Sequence, residues 1–175
     1  DFTGYREYTV FVKDLRTGEL LPDRLERVDD MTWAGDSATI FYVQQNAAKR
    51  PDRLLRHRLG QERDALVWEE KDELFNLGVG TTRSGEWVVA TSASKDTSEV
   101  RVVPAVQPLA PARLVARRRT GHEYYVDHHG REFWIRTNDK GKNFRLVRAP
   151  LAIGDAVQLA LALEIVELTT AHGPR

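Results

Sequence analysis

Two landmarks recurring at a period near 45 residues, short runs of alternating apolar and polar residues, and turn chemistry between those runs predict an all-β fold. The specific expectation is a partial β-propeller of a little over three four-stranded blades. Gly35, Gly85 and Gly130 each precede an aromatic or apolar run, at spacings of 50 and 45 residues. Leu55, Val100 and Phe144 mark a later run in each unit, at spacings of 45 and 44. A β-sandwich is the competing architecture, since it too is built from short strands with turns every 8–12 residues.

The runs follow in chain order. Tyr8–Val12, Thr39–Val43, Ala65–Trp68, Glu86–Ala90, Val100–Val103, Glu132–Ile135 and Asn143–Val147 are rich in β-branched and aromatic residues and alternate in polarity. Arg16-Thr17-Gly18, Ala34-Gly35-Asp36, Arg83-Ser84-Gly85, His129-Gly130-Arg131 and Asp139-Lys140-Gly141 supply the turns. In the best-defined unit the four strands are Asp30–Trp33, Thr39–Val43, Arg53–Leu59 and Ala65–Glu69. The blade units are therefore placed at about 5–28 (two strands of a preceding blade), 29–74, 75–119 and 120–150. Thr137-Asn138-Asp139-Lys140-Gly141-Lys142-Asn143-Phe144 resembles the Asp-box, a structural hairpin of sialidase-type propellers.

Beyond Pro150 the pattern changes, and residues 151–175 read as a divergent C-terminal tail. Ala156–Leu168 contains no turn residue and is ambiguous. Val157, Leu161, Ile165 and Leu168 share a helical face, whereas Val157, Leu159, Leu161, Leu163 and Ile165 alternate as a strand. The Ala and Leu content tips the reading slightly towards helix. With Asp1 in place of an initiator Met, the chain reads as a piece of something longer, and no signal peptide pattern is visible.

Composition narrows the function. The 175 residues carry 26 basic and 26 acidic side chains, and a net charge of zero argues against a nucleic-acid partner, which calls for a basic face. No run of 18 apolar residues occurs, so no membrane partner is expected. The absence of cysteine removes disulfides, thiolate nucleophiles and Cys-ligated zinc, and fits a cytoplasmic location.

Few residues carry chemistry on this reading. Ser37 and Ser84 lack the Gly-x-Ser-x-Gly elbow of a nucleophilic serine, so no catalytic residue is expected. His122, Asp127, His128 and His129 are close in sequence, but adjacent residues on a strand face opposite ways, so no metal and no cofactor are expected. Glu69-Glu70-Lys71-Asp72-Glu73 would attract basic peptides or simply be a solvated loop. Arg113, Arg117, Arg118 and Arg119 would hold an anion or form a solvated turn.

Several collinear segments add a resemblance. Tyr8–Gly18, Trp33–Asp36 leading to Phe41-Tyr42, Arg56–Gly60, Val67–Asp72, Thr97–Arg101, Gly121–His128, Ile135–Asn138 and Asn143–Val147 resemble the N-terminal propeller of the prolyl oligopeptidase family. The oligopeptidase B (protease II) branch is the most similar. The resemblance covers about residues 1–150. It implies a propeller that caps an α/β-hydrolase domain and limits access to short peptides. It also implies that the Ser, Asp and His of the triad lie in that other domain, together with the acids that hold a basic side chain before the scissile bond.

The chain is thus expected to be the non-catalytic gate and filter of a serine oligopeptidase acting on short basic peptides, with the hydrolase domain of the same polypeptide as its partner. A free-standing interaction module is the alternative. Uncovered blade faces at the ends of an incomplete ring would favour self-association. Blade geometry puts Arg27–Asp30, Glu70–Leu74, Ala93–Asp96, Arg118–His122 and Asp139–Lys142 at one end, and Asp29, Asp30, Lys95 and Asp96 are the candidates for steering substrate.

Overall fold

A computed structural model describes residues 7–150 and 164–165. Among these residues the regular structure is entirely β, arranged in three antiparallel sheets. The first holds β1 (Tyr8–Lys13), β2 (Leu20–Trp33), β3 (Thr39–Gln45), β4 (Pro51–Arg58) and β5 (Ala65–Glu69), in that order. The second holds β6 (Asn76–Thr81), β7 (Trp87–Ala93), β8 (Ser98–Pro104) and β9 (Arg113–Leu114). The third holds β10 (Tyr124–His129), β11 (Glu132–Thr137), β12 (Arg145–Pro150) and β13 (Glu164–Ile165). Strands adjacent in sequence are adjacent in each sheet, the meander of a propeller blade.

The sheets stack because the faces they turn to one another are apolar. In β3, Phe41 and Val43 point one way and Ile40 and Tyr42 the other, as the two-residue period of a strand requires. Phe41 and Val43 join Leu54, Trp68, Leu77, Val79, Val88, Ala90 and Val103 in a core between the first and second sheets. Val100, Val102 and Val115 meet Tyr124, Phe133, Ile135, Val147 and Ala149 between the second and third. On the remaining face of β3, Ile40 and Tyr42 pack against Val12, Leu25 and Val28 of β1 and β2.

That last packing follows from the length of β2. Its first half pairs with β1, from Lys13↔Leu20 to Tyr8↔Val28, and its second half pairs with β3, from Val28↔Gln44 to Trp33↔Ile40. The register shifts between Val28 and Asp30, and Arg27 takes a positive φ of 54°. Such a bulge bends a strand. β1 and residues 20–28 therefore form a two-stranded ribbon lying against one face of β3, while residues 30–33 lead the sheet proper.

Both sequence landmarks occupy equivalent places. Gly35, Gly85 and Gly130 fall between the first two strands of the β2–β5, β6–β9 and β10–β13 units, and Leu55, Val100 and Phe144 lie in or beside the third. The physical reasons for the glycines differ. Gly85 and Gly130 adopt positive φ, 72° and 65°, where a side chain is disfavoured. Gly35 is selected by close approach: its N–H donates to the Ala105 carbonyl at 2.8 Å, and an added Cβ would sit 3.3 Å from that peptide.

Of the tail, only Glu164–Ile165 is described, and it is a strand antiparallel to β12, with Val147↔Ile165 and Arg148↔Glu164. At these two residues the helical reading is corrected to the alternating one. β12 offers an open backbone edge, and an extended partner satisfies its peptide groups. The rest of Ala156–Leu168 lies outside the described residues.

Packing between sheets should dominate stability. Phe41 is fully buried, so Phe41→Ala is expected to cost about 3–5 kcal/mol. Leu15→Ala, at a residue 89% exposed, should stay within about 0.5 kcal/mol. Urea midpoints at constant m-value check both.

Candidate functional site

Antiparallel alternation divides the connections between two ends of the stack. One end carries the β3–β4, β7–β8 and β11–β12 turns together with the segments that lead from β5 to β6 and from β9 to β10. All four proposed steering residues belong to this rim or its approach. Asp29 and Asp30 sit at the bulge of β2, and Lys95 and Asp96 form the tip of the β7–β8 turn. All four are exposed.

Their carboxylates are not equally available. Asp29 Oδ1 accepts a hydrogen bond from Gln45 Nε2 at 2.6 Å, along the same sheet. Asp30 is committed to structure: Oδ2 accepts the Val79 N–H of β6 at 3.0 Å, and Oδ1 accepts the Met31 N–H at 2.9 Å. Asp96 Oδ1 accepts from the Thr97 hydroxyl at 2.9 Å, and Thr97 Oγ1 in turn accepts the Gly121 N–H at 3.0 Å. Asp29 and Asp96 are thus anchored acids on the rim, whereas Asp30 is a joint between two sheets.

The same end holds a network whose two partners belong to separate charge runs in the sequence. The Glu70 carboxylate, just beyond β5, is paired with the Arg118 guanidinium, and the Ser92 hydroxyl donates to it from β7. The Asp72 N–H donates to Glu70 Oε1 at 2.9 Å, and Arg118 Nη2 donates to Ser92 Oγ at 3.0 Å. Arg118 also lies 3.7 Å from the centre of the Phe75 ring, a cation–π contact. Burial alone would push the Glu70 carboxyl up, but hydrogen bonds from Arg118, Ser92 and the Asp72 amide, and the arginine's charge, outweigh it and hold it below the ordinary range. Neither a peptide-attracting patch nor a solvated loop describes Glu70, and Arg118 already has its anion.

The histidines separate in the same concrete way. His128 is buried at the far end of β10, with Nδ1 2.9 Å from Ser84 Oγ of the β6–β7 turn and its ring against Trp87 and Phe133. This is a serine–histidine contact without triad geometry. A triad histidine takes the serine proton on one nitrogen and is held by a carboxylate on the other. Here Glu86 Oε1 approaches the same Nδ1, at 3.9 Å, and Nε2 is buried with no hydrogen-bond partner among the described residues. Asp127 instead accepts the Arg83 N–H at 2.8 Å, so both residues fasten the third sheet to the second.

His122 lies at the opposite end of β10, 2.9 Å from Thr137 Oγ1 and stacked on Tyr124. Burial, and secondarily the charge of Arg119, push its pKa down. A strand of this length separates His122 from His128 by about 20 Å, so the two do not converge on one ion. The Asp-box-like turn is closed by Arg145, whose Nε and Nη2 donate to the two Asp139 oxygens at 2.8 and 2.7 Å. That pairing serves the hairpin.

A further buried group escaped the sequence reading. His57 on β4 lies between Asp23 of β2 and Asp64 of the β4–β5 turn, at 2.8 and 2.7 Å. Asp23 and His57 are 34 residues apart, so no local pattern flags them.

Comparison with known proteins places these features. The family model described as the prolyl oligopeptidase N-terminal β-propeller domain matches residues 1–159. Protease 2 of Moraxella lacunata is 42% identical over 153 residues, covering 85% of this chain and 22% of that protein. Dipeptidyl aminopeptidase BI of Pseudoxanthomonas mexicana is 39% identical over 159 residues, covering 86% and 21% respectively. Among solved structures, oligopeptidase B from Leishmania major superposes with a TM-score of 0.83 at 24% identity, over 94% of this chain and 24% of that one. Oligopeptidase B from Trypanosoma brucei gives 0.80 at 25%, over 95% and 23%. The chain therefore spans about a fifth of the length of the curated relatives it matches.

The Glu70–Arg118 pair should respond asymmetrically to truncation. Arg118→Ala leaves a carboxylate with a side chain only 6% exposed, and is expected to cost about 2–3 kcal/mol, below the ~3–5 of a fully buried pair. Glu70→Gln, which keeps the shape and removes the charge, should cost about 1 kcal/mol. A carboxyl held low in the folded state contributes stability that is lost as pH falls through its folded pKa. In Arg118→Ala burial is no longer opposed by the arginine, so its deficit against the parent chain should shrink between pH 7 and pH 4, as read from urea midpoints.

Proposed function

We propose a role for this chain from the premise that it belongs to the prolyl oligopeptidase family: it is the non-catalytic propeller portion of a serine oligopeptidase, gating and size-filtering the short peptides that reach the catalytic centre. Its working partner is the α/β-hydrolase domain of the same polypeptide, and the peptides carry basic residues. The observation that carries this reading is the match of almost the whole chain to the propeller domain, on relatives about five times its length. A cytoplasmic setting is part of the same proposal and rests on the cysteine-free composition.

A gate needs a stiff wall and a selective rim. Sheets packed through Phe41, Leu54, Val100 and Phe133 supply the first, because close-packed interiors resist deformation. The rim supplies the second through Asp29 and Asp96, with Lys95 beside Asp96 as a discriminating positive charge. Asp30 supports this rim indirectly, through its hydrogen bond to Val79.

The steering proposal is tested in the full-length parent enzyme. Asp29→Lys combined with Asp96→Lys should lower kcat/KM for dibasic peptides about 3–10-fold at low ionic strength and much less in 0.5 M salt, where the Debye length is a few ångströms. Asp30 is left intact to spare the sheet joint. Equal activity of variant and wild type at low salt would show that these loops do not steer substrate.

Alone, the chain presents exposed Tyr125 and Phe144 on its third sheet and Tyr8, Phe11 and Leu20 on its leading ribbon. Apolar surface at the ends of a stack promotes association. Light scattering coupled to size exclusion should show a concentration-dependent mass above 19.9 kDa. A compact monomer at every concentration would count against self-association.

A further inference from the structure

The His57 cluster is built more completely than a structural ion pair requires. Nε2 lies 2.8 Å from Asp23 Oδ1 and Nδ1 lies 2.7 Å from Asp64 Oδ1, so both ring nitrogens face carboxylate oxygens. A neutral imidazole would turn a lone pair on one of them, whereas an imidazolium donates to both. Two further donors reach the carboxylates. The Gly60 N–H donates to Asp23 Oδ1 at 2.6 Å, and the Tyr42 hydroxyl donates to Asp64 Oδ2. The side chains of His57 and Asp23 are 5% and 3% exposed.

These groups come from every element that meets there. Asp23 belongs to β2, Tyr42 to β3, His57 to β4 and Asp64 to the β4–β5 turn, while β1 brings the uncharged Val10 and Val12 to the same packing. Arg53 of β4 bears on Tyr42 from further away. Burial alone would drive the His57 pKa down, yet the hydrogen bonds and charges of Asp64 and Asp23 outweigh it and raise it. For Asp23, burial is likewise overcome by the Gly60 amide and by His57, so its carboxyl is held low.

The location gives the cluster a mechanical consequence. Residues 20–28 of β2 have their ladder with β1, and β2 joins β3 only from Val28 onward. Among the described residues, the ribbon is tied to the sheet by the apolar contacts of Val10, Val12, Leu21, Leu25 and Val28, by a Gln44 Nε2 bond to the Glu26 carbonyl at 3.0 Å, and by Asp23. We propose that Asp23, His57 and Asp64 form a proton-held clasp that fastens the β1–β2 ribbon to β3 and β4, and that loss of the imidazolium proton in alkaline solution releases the ribbon as a unit while the second sheet stays folded.

The sign follows from linkage. A histidine whose folded pKa is raised stabilises the closed form fully below its unfolded value of about 6.5, and that contribution is lost as pH rises through the folded pKa. One proton lost per opening makes the opening equilibrium up to tenfold more favourable per pH unit in that window.

Amide exchange of the full chain, corrected for intrinsic base catalysis, tests this between pH 6.5 and 10. Protection of Val12 and Leu25 relative to Val88, Ala90 and Val102 should fall by up to about tenfold per pH unit between about pH 6.5 and the His57 titration midpoint, and level off above it. The His57 Cε1–H resonance should place that midpoint above 6.5. In Asp64→Asn, which keeps the shape and removes one charge, both midpoint and window should move to lower pH. A ratio that stays flat, a midpoint at or below 6.5, or simultaneous loss of protection in both sets would overturn the clasp. Should Asp64→Asn fail to fold, the wild-type ratio and midpoint decide the matter.

Discussion

A four-stranded sheet with two apolar faces can satisfy both only by lying between neighbours, and this constraint organises the molecule. Ile40 and Tyr42 demand cover on one side of β3, Phe41 and Val43 on the other. The β1–β2 ribbon answers the first demand and the second sheet the second. The second sheet in turn needs the third to cover Val100 and Val102. Backbone hydrogen bonds close each sheet internally, so hydrophobic burial is what holds one sheet to the next, and it is non-directional.

Direction comes from a small set of buried polar links. His57 with Asp23, Glu70 with Ser92 and Arg118, and Ser84 with His128 each join neighbouring layers. Tyr124 adds a further one, its hydroxyl donating to the Ala116 carbonyl at 2.7 Å and accepting the Val100 N–H at 2.8 Å. Burial pushes this phenol up to about 12, so it remains a neutral donor and acceptor. A slipped or rotated sheet would leave these groups buried without partners, a penalty that apolar contacts alone would not impose. The backbone contacts Gly35 to Ala105 and Val79 to Asp30 serve the same registration.

This division explains what the sequence displays. Strand positions and the blade period were legible because alternation and turn residues are local, and β5 falls on Ala65–Glu69 as read. The glycine landmarks were legible for the same reason, although Gly35 answers a contact with Ala105 that no window around residue 35 contains. The leading ribbon's continuity through β2 was hidden, since Arg27 takes a positive φ without being glycine. The polar links were hidden too. Glu70 and Arg118 are 48 residues apart, and each sits in a charge run whose plain reading is solvation. Asp29, Asp30, Lys95 and Asp96 could be placed on one rim from strand alternation, but not that Asp30 spends both its oxygens on backbone amides.

The zero net charge acquires a meaning here that composition alone does not give. Many of the ions are consumed in pairs, Arg118 with Glu70 between sheets, Arg145 with Asp139 within a hairpin and Arg101 with Glu99 along β8. Charges spent in this way fix geometry and leave little long-range field, because each is neutralised within a few ångströms. What reaches solvent at this end is then set by a few residues of the turns and of the β2 bulge. Substitution at Lys95 or Asp96, in an exposed turn, leaves the stack largely undisturbed, whereas substitution at Glu70 or Asp23 would strike the joints between layers.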